Sequence, residues 1–225
     1  MSYKDETLWK YLENKIKLND SKLPGHLHIE HSYLAGIEHI CNYGIKRSLT
    51  IRDNFPMYTL HDETHICNVL RIMANLLGRK IQQLSRDEAA MLILSACCHD
   101  IGMSYSDAEK ASILNDSYRL NKYLEENCDE YVRVYAGGKD KPDLADDIVQ
   151  NYLRSVHHER VKELLYEIDW PEVLEGKVDR EDLIRVCQSH GRNVSALDEL
   201  DALPTLDLRF CAILLRLADI LDFDT

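Results

Sequence analysis

Apolar positions along this chain recur at three- and four-residue intervals, the mark of helices that each bury one face. Leu8, Tyr11, Leu12 and Ile16 predict a helix over Thr7–Lys17, broken by Ser21–Gly25. A second helix is predicted from Ser32 to Ser48, and Asn54-Phe55-Pro56 ends the approach to a third. That third helix spans Thr59–Leu77, with His65, Val69, Ile72, Met73 and Leu76 at helical spacings and Gly78 behind it. Ser85 followed by Glu88 is a capping-box pattern that opens the apolar run Ala89–Cys98. The run stops at His99-Asp100-Ile101-Gly102. Ser106–Asn127 reads as one amphipathic helix, and residues 134–143, with Gly137-Gly138 and Pro142, as the clearest loop. Further helices are predicted at Leu144–Val156, Glu159–Ile168, Arg180–Ser189 and Leu206–Phe223. No stretch alternates with period two. The fold class is all-α.

Composition agrees with that reading. Nine Gly and five Pro in 225 residues are about half the usual share of roughly 12%. Twelve Tyr stand against three Phe and two Trp, so much of the aromatic surface carries a hydroxyl. Charge narrows the function: 27 Lys and Arg against 39 Asp and Glu give a net charge of −12. Such a field repels duplex nucleic acid and anionic lipid, yet leaves room for a small phosphorylated substrate held by local Arg or metal. The first twenty residues contain no apolar signal core. Ala89–Cys98 and Phe210–Leu221, the longest apolar runs, are too short to span a bilayer. Seven Cys without a CxxC pair read as reduced thiols of a cytoplasmic protein. The apolar helix Asp207–Phe223 closes almost at Thr225, which reads as the N-terminal piece of a longer chain.

The candidate chemistry lies in the histidines. His99-Asp100 sits where an apolar helix ends. Adjacent helical residues point about 100° apart, so the pair converges on one ion only where the helix loosens, which the nearby Gly102 would permit. A neutral imidazole beside a carboxylate suits Mn²⁺, Fe²⁺, Zn²⁺, Co²⁺ or Ni²⁺, with Mg²⁺ a further option. Alone, the pair reads first as a polar helix terminus. His61 and His65, four residues apart, share a helix face, where one could bind metal and the other face a substrate. Asp219 lies among apolar neighbours in FCAILLRLADILDF, although Arg216, Asp219 and Asp222 recur every three residues and could form a solvated stripe. His157-His158 and His190 also sit beside apolar helices. His26, His28 and His31 spell HxHxxH, read as an exposed loop.

These segments together resemble the HD-domain metal-dependent phosphohydrolases. The resemblance covers Phe55–Thr225, three quarters of the chain, through YTLHDETHICNVL, LSACCHDIGM, RSVHHERV, VCQSHG and LLRLADILD. It implies a helical bundle with a metal site in its core, and a first ion held by His65, His99, Asp100 and Asp219. His157 and His190 then fit the role of ligands to a second ion, with His158, the uncertain neighbour of His157, a candidate to bind substrate. Residues 1–54 become an N-terminal helical extension packed on a domain of residues 55–225. Tyr58–Val69 also looks like the Y-H-N-x-x-H-A-x-D-V signature of cyclic-nucleotide phosphodiesterases, which makes His61 the general acid. Thr59-Leu60 between Tyr58 and His61, and Asp62 in place of Asn, depart from it. The HHExxDGxGYP signature of cyclic-di-GMP hydrolases is absent, since RVKELL follows His157-His158-Glu159. Arg160 and Arg192 could clamp a substrate phosphate or pair with acidic neighbours. The overall spacing is similar to bacterial HD domains at the N-terminus of multidomain proteins, some fused to GHKL-type ATPase domains. The expected activity is hydrolysis of a phosphate ester or phosphodiester in a nucleotide-type substrate, with Asp100 and His61 at its centre. The alternative is a nucleotide- and metal-binding regulatory module without turnover, controlling a fused or partner domain.

Overall fold

A computed structural model describes residues 2–20, 27–55, 63–115, 117–129, 132 and 142–222. Among them nine helices of eight or more residues carry the fold: α1 (Thr7–Asp20), α2 (Leu27–Asn54), α3 (Glu63–Leu77), α4 (Arg86–Cys98), α5 (Asp107–Asn115), α6 (Ser117–Glu126), α7 (Pro142–Tyr166), α8 (Arg180–Ser189) and α9 (Leu208–Asp222). Short 3-10 turns join several of them. The all-α reading holds.

Helix α4 is the centre. Met91, Leu92, Ile93 and Leu94 are all fully buried, so the helix is apolar around its whole circumference, as a helix enclosed by others must be. Burying each such side chain stabilises the fold by roughly 1.5–3 kcal/mol. The predicted capping box starts it: Ser85 Oγ accepts from the Glu88 amide at 2.9 Å, and Glu88 Oε2 accepts from the Ser85 amide at 2.7 Å. Helices α1, α2, α3, α8 and α9 pack around it. Leu8, Trp9, Leu12 and Ile16 of α1 belong to the same apolar core as α3, α4 and α9. Two glycines let backbones touch. A Cβ on Gly44 of α2 would stand 2.3 Å from the Cys97 carbonyl oxygen, and one on Gly102 would stand 1.9 Å from the His157 carbonyl oxygen.

Several elements differ from the sequence reading. Helix α2 runs beyond Ser48 because Ile51 and, just past its end, Phe55 pack into a second cluster with Met103, Val149 and Leu153. His28 and His31 stand on helical backbone rather than in a loop, while His26 lies outside the described residues. The predicted helix Ser106–Asn127 is two helices, α5 and α6, and α5 buries no residue. The helices predicted to either side of His157-His158 are one, α7, anchored beyond those polar residues by Val161, Leu164 and Leu165. Most of the predicted loop 134–143 is outside the described residues, and its end at Pro142 is already helical. The last helix starts two residues late. Ala202–Leu203 (β1) and Leu206–Asp207 (β2) form a small antiparallel hairpin, with Ala202 opposite Asp207 and Leu203 opposite Leu206. Asp207 Oδ1 then accepts from the Phe210 amide at 2.9 Å and caps α9.

Candidate metal centre

Four elements bring their polar atoms to one buried point. His65 comes from α3, His99 caps the C-terminus of α4, Asp100 follows it, and Asp219 comes from α9. His65 Nε2 and His99 Nε2 are 3.2 Å apart. Asp100 Oδ2 lies 3.1 Å from His99 Nε2 and 3.5 Å from His65 Nε2, and Asp219 Oδ1 lies 3.6 Å from each nitrogen. A second point lies on the other side of Asp100. There His157 Nε2 and His190 Nε2 are 2.7 Å apart, and Asp100 Oδ1 lies 3.6 and 3.5 Å from them. Within each group the ligand-type atoms lie within 4.8 Å of one another, so each group could hold a metal ion.

Proton placement supports that use. A carbonyl oxygen can only accept, so a ring nitrogen bonded to one carries the proton. His99 Nδ1 donates to the Ala96 carbonyl at 3.1 Å, His157 Nδ1 to the Arg154 carbonyl at 2.7 Å, and His190 Nδ1 to the Cys187 carbonyl. Each carbonyl sits three residues back on the same helix. His65 is held differently, with Nδ1 2.7 Å from Asp222 Oδ2 on α9. In the neutral form all four rings therefore turn an unprotonated Nε2 inward, two facing two, with carboxylate oxygens beside them. Lone pairs crowded in this way fit a cation. The backbone and carboxylate partners behind the rings are those that orient metal-bound imidazoles in general. His99 and His190 also cap the C-termini of α4 and α8, where the helix dipole favours positive charge.

The electrostatics of the two histidine pairs differ. Burial pulls the His99 and His65 pKa values down, but the Asp100 carboxylate beside them, with Asp219 at His99 and Asp222 at His65, raises both. Burial likewise opposes ionisation of Asp219, yet the hydrogen bond and charge of His99 outweigh it and hold the carboxyl below its usual range. For His157 burial wins, and its pKa is pushed down to about 4. Its imidazole is neutral and ready as a ligand at any pH near 7.

The remaining candidates lie elsewhere. Of the adjacent pair, His157 is the ring turned to Asp100. His158 is packed against Gly191, with Nε2 3.5 Å from Glu159 Oε1. Arg160 binds the Gly102 and Ser104 carbonyls, the latter at 3.0 Å, and Glu109 at 2.9 Å, which ties the turn after Asp100 to α7. Arg192 makes a two-pronged pair with Glu159, 2.8 Å on each side. His61 lies outside the described residues. The three-residue recurrence Arg216, Asp219, Asp222 is not a solvated stripe. Arg216 donates to the Ser189 and Arg192 carbonyls, Asp219 and Asp222 both face His65, and their side chains are 15% and 10% exposed. Asp222 is the site residue that sequence reasoning left in the stripe.

With this geometry, one comparison decides the family: the model of the HD-CE family, a family of HD-type domains, matches residues 55–225. The chain belongs to the HD-CE family. Comparisons with curated proteins and with solved structures gave no match. In this HD-CE chain, Asp222→Ala is expected to weaken metal binding at the His65–His99 position by about 10- to 100-fold, the usual weight of an orienting partner. Titration with Mn²⁺ checks it. Unchanged affinity would make Asp222 a structural ion-pair residue only.

Proposed function

We propose that this HD-CE domain hydrolyses a phosphate ester or phosphodiester in a nucleotide-type substrate. The observation that carries the reading is Asp100, whose two oxygens face two histidine pairs with inward lone pairs. A divalent cation held there would supply Lewis-acid chemistry, polarising a phosphoryl oxygen and lowering the pKa of bound water toward neutrality. His65, His99, Asp100 and Asp219 would hold one ion, and Asp100, His157 and His190 a second. Phosphoryl transfer asks mainly for position and fixed charge, which these helices supply without moving. Arg192 stands two residues after His190, and its exposed pairing with Glu159 is one a substrate phosphate could replace. Arg160, fixed by two carbonyls and Glu109, acts as a positioning residue for the turn that carries Asp100. His61 is the proton donor to the leaving oxygen.

Metal analysis of protein purified without oxygen, followed by a panel of nucleotide esters in Mn²⁺, tests the proposal. About two transition-metal ions per chain and Mn²⁺-dependent turnover are expected. Tight nucleotide binding without turnover would hand the site to the regulatory reading. Absence of metal, with a melting point indifferent to Mn²⁺ and chelator, would remove both.

A further inference from the structure

Arg216 ties the turn that carries His190 to α9. Helix α8 ends at Ser189, and the last carbonyls of any helix have no partner within it. From 27 residues further along the chain, Arg216 Nη1 donates to the Ser189 carbonyl and, at 2.9 Å, to the Arg192 carbonyl. These two acceptors stand just before His190 and two residues after it. A cation at this end of α8 also matches the negative pole of the helix dipole. The side chain is half-buried, and both of these bonds go to backbone oxygens.

The turn has to place His190 closely. Its Nε2 lies 2.7 Å from His157 Nε2 and 3.5 Å from Asp100 Oδ1. The ring's own bond to the Cys187 carbonyl sets how the imidazole is rotated, not where the backbone of residue 190 stands. Backbone placement comes from what meets the turn. The His158 ring rests on Gly191, where a Cβ would stand 2.5 Å from it, and Arg216 holds the carbonyls on either side. The three-residue recurrence on α9 therefore touches both groups. Asp219 lends its Oδ1 to the first group and Asp222 orients His65 there, while Arg216 holds the turn of the second.

We infer that Arg216 is a positioning residue for the second ion: it holds the His190 turn where His157, His190 and Asp100 can close on one cation. The inference rests on the two-ion reading of the centre and not on turnover. Without the guanidinium, the end of α8 frays, as helix ends do when their carbonyls lose a partner. The second position then loses His190. The first position keeps its four ligands, because α9 stays docked through Cys211, Ala212, Leu215 and Ala218, all fully buried.

Two variants of the full chain test it. Arg216→Met keeps the apolar stem and removes the donors, and Arg216→Lys returns a charged donor. Each protein, with its histidines labelled for NMR and its metal removed by chelator, is titrated with Zn²⁺, an ion that leaves the signals sharp. Ring signals of His65 and His99 report the first position, and those of His157 and His190 the second. In Arg216→Met the second position is expected to weaken by about 10- to 100-fold, the usual weight of an orienting partner, with the first unchanged. Arg216→Lys should recover most of that loss. Asp222→Ala should give the opposite pattern, which tells the clamp apart from a general loosening of α9. In metal-free Arg216→Met, amide exchange over residues 189–192 should quicken by about tenfold, as expected where two hydrogen bonds are lost. Affinity lost at both positions alike, or at neither, overturns the clamp even in a protein that hydrolyses esters. Selective loss at the second position, in a protein that turns over no ester, supports the clamp and overturns the hydrolase reading alone.

Discussion

Asp100→Ala is expected to strip both metal positions at once, taking metal content from about two per chain to near zero and abolishing Mn²⁺-dependent turnover. Asp100 gives Oδ2 to the His65–His99 pair and Oδ1 to the His157–His190 pair, so no other single truncation reaches both. The contrast variants sharpen the result. Asp219→Ala removes a ligand atom from the first group only, and His190→Ala from the second only. Each should retain about one ion. The stability consequence follows by mass action, since an ion that binds only the folded chain stabilises it by about 4.1 kcal/mol at a thousand times its Kd. Asp100→Ala should therefore lose the rise in melting temperature that Mn²⁺ gives the parent protein. Elemental analysis together with thermal melts with and without Mn²⁺ decides it. Two ions retained in Asp100→Ala would show that the carboxylate does not bridge.

The second large effect is expected at His61. It stands four residues before His65, a spacing of about one helical turn, and as a proton donor it would serve the leaving oxygen without holding an ion. His61→Ala should keep both ions and the melting temperature while lowering turnover by about 10²–10⁴-fold, the usual weight of one general acid. A p-nitrophenyl ester should lose much less, because its leaving group needs little protonation. Loss of metal in His61→Ala would make this residue a ligand and overturn the donor role.

The parts of the site that could be read from sequence are those set by local geometry. The end of α4 places His99 and Asp100 side by side, while the ligand set came from the resemblance to HD domains, and its six residues lie in two groups that could each hold an ion. Gly102 was given a different part. It sits at a negative φ, and what it permits is the approach of the His157 carbonyl, which brings the second histidine pair up to Asp100. That contact joins residues far apart in sequence, and no local pattern announces it. The same holds for Asp222, which shares its spacing with Arg216 and Asp219 and is distinguished only by docking on His65. Helix α7 was cut in two at His157-His158 because polar residues interrupt its apolar pattern, whereas in the fold His157 faces the site and His158 packs against Gly191.

The way His65 is oriented bears on when the centre forms. His99, His157 and His190 each take their orienting bond from a carbonyl three residues back, so those rings are set as soon as their own helices close. His65 depends on Asp222, 157 residues further along the chain. A contact of that sequence separation is among the slowest to form, because the intervening loop must be closed first. The histidine pair on α7 and α8 is thus assembled early from neighbouring elements, while the pair on α3 and α4 stays open on one side until α9 docks. During synthesis the N-terminal helices emerge long before α9 does. The His65 position therefore reports the docking of α9: a chain stalled before Asp219 has five of the six ligand candidates, but lacks Asp219 and the carboxylate that orients His65.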